Sequence, residues 1–147
     1  MQIIRATEKN LDGLVTLFNG YMMFYRQASN PESYRRFLKE RLINDEAIVF
    51  LAMEGDDTPM GFTLIYPSFS SVSQGRIYVL NDLFVHENHR QKGVATALLD
   101  AAAHFGRSNG GIRLTLETEL TNLNAQKLYE KEGWIRNDDH YFYDLEL

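Results

Sequence analysis

The sequence predicts an α/β fold, with a mixed, mostly antiparallel sheet of about seven strands flanked by about four helices. Three observations lead there. Strand-like and helix-like runs follow one another in the order β-α-α-β-β-β-α-β-α-β-β. The strongest strand run, Arg76 to Val85, is preceded by a hairpin and followed by a helix and a further strand. Antiparallel and parallel pairings must therefore meet on it. Finally, 147 residues without an internal repeat, low-complexity tract or linker make one ordinary domain, residues 1–147.

The elements follow in order. Gln2 to Ala6 alternates weakly and reads as a short first strand. Thr7 offers an N-cap, with Asn10 three residues on and Glu8 favourable in the first turn. Apolar residues at Leu11, Leu14, Val15, Phe18, Met22 and Tyr25 then have helical spacing. Asn30-Pro31 starts a second helix, with Asn30 as cap and Pro31 in the first turn, and Phe37, Leu38 and Leu42 form its stripe. Ala47 to Met53 and Met60 to Tyr66 read as a hairpin turned by Gly55-Asp56-Asp57. Pro67 to Gly75, rich in Ser and Gly, reads as a loop. After the strand Arg76 to Val85 comes a polar loop, His86 to Lys92. A helix from Gly93 to about Arg107 follows, with Val94, Ala97, Leu98, Ala101 and Phe105 on its face. Ile112 to Thr118 alternates as a strand, and Asn122 to Glu132 is a short helix. Trp134 to Arg136 and His140 to Leu147 read as two closing strands.

Composition narrows the function. The chain is 44% apolar and 24% charged, as in a soluble globular protein. It has no cysteine, so disulfides, thiolate zinc sites and a cysteine nucleophile are excluded, and no metal site is expected. The N-terminus lacks the apolar core of a signal peptide, and no run approaches the roughly 18 apolar residues of a membrane span. A cytoplasmic protein is expected. The net charge of −5 and the lack of a basic helix or aromatic platform argue against nucleic acid as a partner.

The stretch that carries chemistry is Leu83-Phe84-Val85, the loop His86-Glu87-Asn88-His89, and Arg90-Gln91-Lys92-Gly93-Val94-Ala95-Thr96. It is a buried strand, a short polar loop and a helix that opens on glycine. Unpaired N–H groups and the positive end of the helix dipole make such an N-terminus an anion site. Gly93 admits a phosphate close to the backbone, and Arg90 and Lys92 add positive charge. The expected ligand is a pyrophosphate. Neither a Walker A loop nor a dinucleotide-binding glycine pattern is present.

This segment resembles the acetyl-CoA-binding motif of the GNAT superfamily of N-acetyltransferases, [Q/R]-x-x-G-x-[G/A], matched by Arg90-x-x-Gly93-x-Ala95 after a strand ending in Val85. Downstream, Asn122-Leu123-Asn124-Ala125-Gln126-Lys127-Leu128-Tyr129-Glu130-Lys131-Glu132-Gly133-Trp134 is similar to the family's N-x-x-A-x-x-[LF]-Y-x-x-x-G-[FW]. The likeness covers nearly the whole chain and implies the acyl-CoA N-acyltransferase fold. Leu80-Asn81-Asp82-Leu83-Phe84-Val85 looks most like the diamine and polyamine branch, which often has Glu where Asn81 stands.

The resemblance also implies roles. Acetyl-CoA would be the cosubstrate, with its pyrophosphate on Arg90, Gln91, Lys92, Gly93, Val94, Ala95 and Thr96. Its pantetheine arm would lie along the backbone of Leu83, Phe84 and Val85, where a bulge would splay the strand from its neighbour. An N–H near Phe84 or Val85 would polarise the thioester carbonyl. Asn122 would contact the pantetheine arm, although it reads equally as an N-cap. Tyr129 would protonate the departing thiolate, a role its pKa suits; outside the motif it would read as a core tyrosine. His86 and His89 would be solvent-facing or near the adenine.

An attacking amine must lose a proton. Asp82 is the candidate base, because a charge in an apolar strand is costly unless paired or functional. Glu117 and Glu119, alternate residues at the end of the next strand, share a face, and Glu119 is a second candidate; a solvated strand edge explains them equally well. Tyr21 to Tyr25, with the loop Pro67 to Gly75, would wall the acceptor side, making Tyr25, Asp82 and Glu119 the candidate acceptor-binding residues. The function expected is acetyl transfer to a primary amine, in a small cationic molecule or amino acid before a protein. A non-catalytic acyl-CoA sensor, needing the Arg90–Ala95 cradle but not Tyr129, is the alternative. A homodimer is expected by family analogy and because the aromatic run His140-Tyr141-Phe142-Tyr143 needs a pairing partner.

Overall fold

The alternating apolar runs of the first 116 residues form a sheet of five strands, β1 (Gln2–Arg5), β2 (Ile48–Glu54), β3 (Thr58–Ser70), β4 (Gly75–Val85) and β5 (Gly111–Thr115), in the spatial order β1-β2-β3-β4-β5. Three neighbouring pairs are antiparallel, and only β4 and β5 run parallel. A parallel pair needs a crossover, which α3 (Val94–Ser108) provides. The computed structural model describes all 147 residues, which divide into two compact units, Met1–Leu116 and Glu117–Leu147.

Local chemistry accounts for the helices of the first unit. The Thr7 side chain accepts from Lys9 N while the Asn10 side chain accepts from Thr7 N, closing a 3-10 turn over Glu8–Asn10 that leads into α1 (Leu11–Phe24). Asn30 Oδ1 accepts from Ser33 N at 3.2 Å and opens α2 (Pro31–Ile43). Leu14, Leu17, Phe18 and Leu38 from these helices bury against Val49, Leu51, Phe62 and Leu64 of the sheet. Each such side chain contributes about 1.5–3 kcal/mol on burial. A second cluster joins Val94 and Leu98 of α3 to Ala52 and Met60. The face of α3 that buries is Val94, Leu98, Leu99, Ala102 and Gly106, rotated about one residue from the expected stripe. Phe105 still packs edge-on against Phe50 and Tyr78.

Strand β3 corrects the expected loop over Pro67 to Gly75. Pro67, Ser68, Phe69 and Ser70 continue the strand, opposite Tyr78, Ile77, Arg76 and Gly75. Pairing with β2 ends at Ile48↔Ile65, so this extension has β4 on one side alone, and a proline is tolerated on an open edge.

In the second unit, α4 (Leu123–Lys131) is capped by Asn122, whose Oδ1 accepts from Ala125 N at 3.2 Å. The two expected closing strands are absent: neither Trp134–Arg136 nor His140–Leu147 forms a strand, and the sheet has five strands rather than seven. Tyr141, Phe142, Tyr143 and Leu145 are all at least 80% exposed. Their alternation marks strand propensity, but the ladder partner that makes a strand is missing. No helix is long and apolar enough to cross a membrane.

Candidate active site

Strand β4 carries a bulge at Asn81. Ile65 pairs with Leu80 and the next residue back on β3, Leu64, pairs with Asp82, which leaves Asn81 without a partner on β3. An extra residue reverses the alternation of side chains beyond it. Leu80 and Asp82, two apart, therefore point to opposite faces. Phe84 packs into the cluster beneath α1, and Leu83 and Val85 into the cluster beneath α3. The bulge lies two residues before the expected Leu83–Val85 segment. Pairing with β5 covers only Arg76 to Val79, so Leu80 to Val85 have no ladder partner from β5.

Asp82 is 5% exposed. Burial raises its carboxyl above the ordinary carboxylate range, and hydrogen bonds from the Tyr21 hydroxyl and the Asn81 amide oppose that rise. Asn81 Nδ2 lies 3.2 Å from Asp82 Oδ1. The buried hydroxyl of Thr63 donates to the Asp82 carbonyl at 2.9 Å. Tyr66 is close enough for the charge on Asp82 to matter: its phenol is raised first by burial and then by Asp82. Tyr25, at the C-terminus of α1, lies ring to ring with Tyr21 at 5.0 Å.

The loop after β4 turns through a 3-10 turn, Glu87–His89, and then two left-handed residues, Gln91 (φ 59) and Gly93 (φ 77). Gly93 tolerates that conformation without strain and is the N-cap of α3, with no side chain to occupy the first amides. The first turn of α3 has no acidic side chain, and the helical ladder begins with Ala97 N to Gly93 O at 3.0 Å. This is an N-terminus shaped for an anion. Val94 is buried in the α3 cluster, so only its backbone faces outward chemistry. Ala95 and Thr96 are half-buried, while Gln91 and Lys92 are exposed. Lys92 Nζ donates to Asn88 O at 3.0 Å. Arg90 Nε donates to Val85 O at 3.1 Å, and its guanidinium lies over Phe24 and Phe84. His86 and His89 are half-buried rather than solvent-facing, and His89 Nδ1 is enclosed without a hydrogen-bond partner.

The first unit thus gathers Asp82, Leu83, Phe84, Val85, Tyr25 and the loop Arg90 to Thr96. Asn122, Tyr129 and Glu119 belong to the second. There Tyr129 is half-buried, 6.1 Å ring to ring from Trp134, and Glu119 O accepts from Asn122 N and Gln126 Nε2. β5 ends at Thr115, so Glu117 and Glu119 lie beyond it and do not share a strand face as expected. Sequence reasoning missed Thr63 and Tyr66. Both lie on β3 and reach the site only through its pairing with β4, for which the sequence carries no local signal.

Comparison with known proteins identifies the family and the fold. The profile of the acetyltransferase (GNAT) family matches residues 14–134. The "Uncharacterized N-acetyltransferase YhfO" of Bacillus subtilis strain 168 is 43% identical over 100% of this chain and 98% of its own length. A thialysine N-epsilon-acetyltransferase of Caenorhabditis elegans is 25% identical over 91% of this chain and 88% of its own. A crystal structure of a probable acetyltransferase superposes with a TM-score of 0.93 at 39% identity, covering 100% of this chain and 98% of that one. With a family match that spans most of its length and a relative 43% identical end to end, this chain belongs to the GNAT family of acetyltransferases, whose cosubstrate is acetyl-CoA.

Proposed function

We propose that the chain moves the acetyl group of acetyl-CoA to a primary amine by direct attack in a ternary complex, and that the acceptor is a small cationic amine or an amino acid. The observation that carries this reading is the buried carboxyl of Asp82, set between Tyr21 and Asn81 immediately before Leu83–Val85. An ammonium cannot attack a thioester. Asp82 takes its proton, through water, and a raised pKa makes it a better base than an ordinary aspartate. The amine nitrogen then bonds to the carbonyl carbon, and an N–H near Phe84 or Val85 stabilises the oxyanion. The C–S bond breaks, Tyr129 gives its proton to the thiolate, and the nitrogen releases its remaining extra proton, which restores the Tyr129 phenol through water and leaves the neutral amide; the role of Tyr129 rests on the motif match alone.

Gly93 and the amides of the first turn of α3 support a pyrophosphate site over Arg90 to Thr96, with the pantetheine arm along Leu83 to Val85; the role of Asn122 toward that arm rests on the motif match. The family match, residues 14–134, includes residues of both compact units, which supports reading 1–147 as one acyltransferase domain. The thialysine-acetylating relative supports an amine on an amino acid side chain. Assembly as a homodimer would bury the exposed Tyr141–Tyr143 run; light scattering that reports monomer alone contradicts it.

The test compares the parent enzyme with Tyr129→Phe. Turnover should fall by roughly a hundredfold, the scale of general acid catalysis, while affinity for CoA is retained. Unchanged turnover removes Tyr129 from the mechanism. A parent enzyme that binds acetyl-CoA but turns over no amine, peptides included, is an acyl-CoA sensor instead.

A further inference from the structure

Thr63 and Asp82 are the two buried polar residues of the chain, and they are hydrogen-bonded to each other. The bond is not between side chains. The Thr63 hydroxyl donates to the Asp82 main-chain carbonyl at 2.9 Å, at the point where the β3–β4 ladder loses its register. A broken ladder leaves buried backbone carbonyls without amide donors, and an unpaired one costs free energy comparable to a lost hydrogen bond. Thr63 supplies a donor there. It stands in the run Met60-Gly61-Phe62-Thr63-Leu64-Ile65, which is otherwise apolar apart from glycine. Valine has the same shape and higher strand propensity, and it would bury no hydroxyl.

Asp82 is fastened from its other end as well, where its carboxylate accepts from Tyr21 and Asn81. Two residues before Thr63, Gly61 lets β3 press against the next part of β4. A Cβ on Gly61 would lie 2.6 Å from the Phe84 carbonyl oxygen and 3.2 Å from Val85 Cα. Strand β3 therefore holds the backbone of β4 from Asp82 to Val85 by the antiparallel ladder itself, to which the Thr63 hydroxyl adds one side-chain hydrogen bond and Gly61 one close approach.

We propose that Thr63 is a positioning residue for acetyl transfer. Its hydroxyl fixes the Asn81 bulge in the shape that aims an N–H near Phe84 or Val85 at the thioester carbonyl and the Asp82 carboxyl at the amine. It touches no substrate. The proposal rests on the acetyl-transfer reading above, and one experiment separates the two. Kinetics are measured for the parent, Thr63→Val and Thr63→Ser with the best amine of a panel, alongside CoA affinity by calorimetry. Thr63→Val should lower kcat about tenfold, the scale of one lost buried hydrogen bond. The Kd for CoA should change less than kcat does, because the pyrophosphate cradle is a separate segment and only the pantetheine arm lies along the strand that Thr63 braces. Thr63→Ser, which keeps the donor, should restore kcat.

A Thr63→Val enzyme with parental kcat overturns the proposal, as does a serine variant as slow as the valine one. If Thr63→Val does not fold, Thr63→Cys decides: a weak donor gives an intermediate kcat, and a parental value overturns the proposal. A parent silent on every amine overturns the acetyl-transfer reading and the proposal with it.

Discussion

Asp82 is buried beside Tyr21 because Asn81, one residue earlier, has no partner on β3. The extra residue turns a side chain that would have shared the α3 face with Leu80 toward α1 instead. Burial then raises its pKa, so the folded chain holds that proton to higher pH than the unfolded chain does. The resulting stability is complete below the ordinary aspartate pKa, about 3.9, and is lost as pH rises through the folded value. Asp82→Asn should flatten that decline. Its melting temperature at neutral pH should equal or exceed the parent's, while kcat falls about a hundredfold. The parent's kcat/KM should rise with pH along a limb above the ordinary carboxylate range, and the variant should lack that limb. Melting curves and rates across pH check both. A variant with parental kcat removes Asp82 as base. The pair Asn81-Asp82 was visible in the sequence as polarity inside an apolar strand. The bulge lies two residues before the place the resemblance implies, because no residue type marks it, and Thr63 shows in the sequence only as one hydroxyl in an apolar run.

At the scale of elements, the sequence was most readable where the determining contacts are local. Thr7 and Asn30 act as caps, and the starts of α2 and α4 stand where capping chemistry put them. The stripe on α2 was legible too, but its weights differ: Leu38 is fully buried, whereas Phe37 is exposed at its edge and lies under the Arg41 guanidinium. Leu38→Ala should therefore cost about 2–5 kcal/mol in denaturant unfolding, and Phe37→Ala clearly less. Equal costs would contradict the packing described. The misread elements share a cause. Strand β3 runs on through Pro67 to Ser70 because β4 pairs with it there, despite a composition that reads as loop. Trp134–Arg136 and His140–Leu147 have the pattern of strands and no ladder. In both cases the partner decides, and a partner distant in sequence leaves no mark on local periodicity.

For the whole molecule, the family was legible because its two motifs are each continuous in sequence and fall in the right order around a helix and a strand. The proposed anion site at Gly93 is likewise local, made by a loop and the helix it opens. The proposed acceptor side is not: α1 brings Tyr21 and, at its C-terminal end, Tyr25, β3 brings Tyr66, and β4 brings Asp82. No contiguous stretch of sequence contains that surface, so the amine's identity was not readable, and the net charge of −5 favours a cation only weakly. The most direct measurement is release of free CoA thiol from acetyl-CoA in the presence of polyamines, lysine analogues, L- and D-amino acids, aminoglycosides and peptides. Turnover concentrated on small cationic amines or amino acids is the result expected here. Turnover on peptides alone, or on no amine while acetyl-CoA still raises the melting temperature, would contradict it.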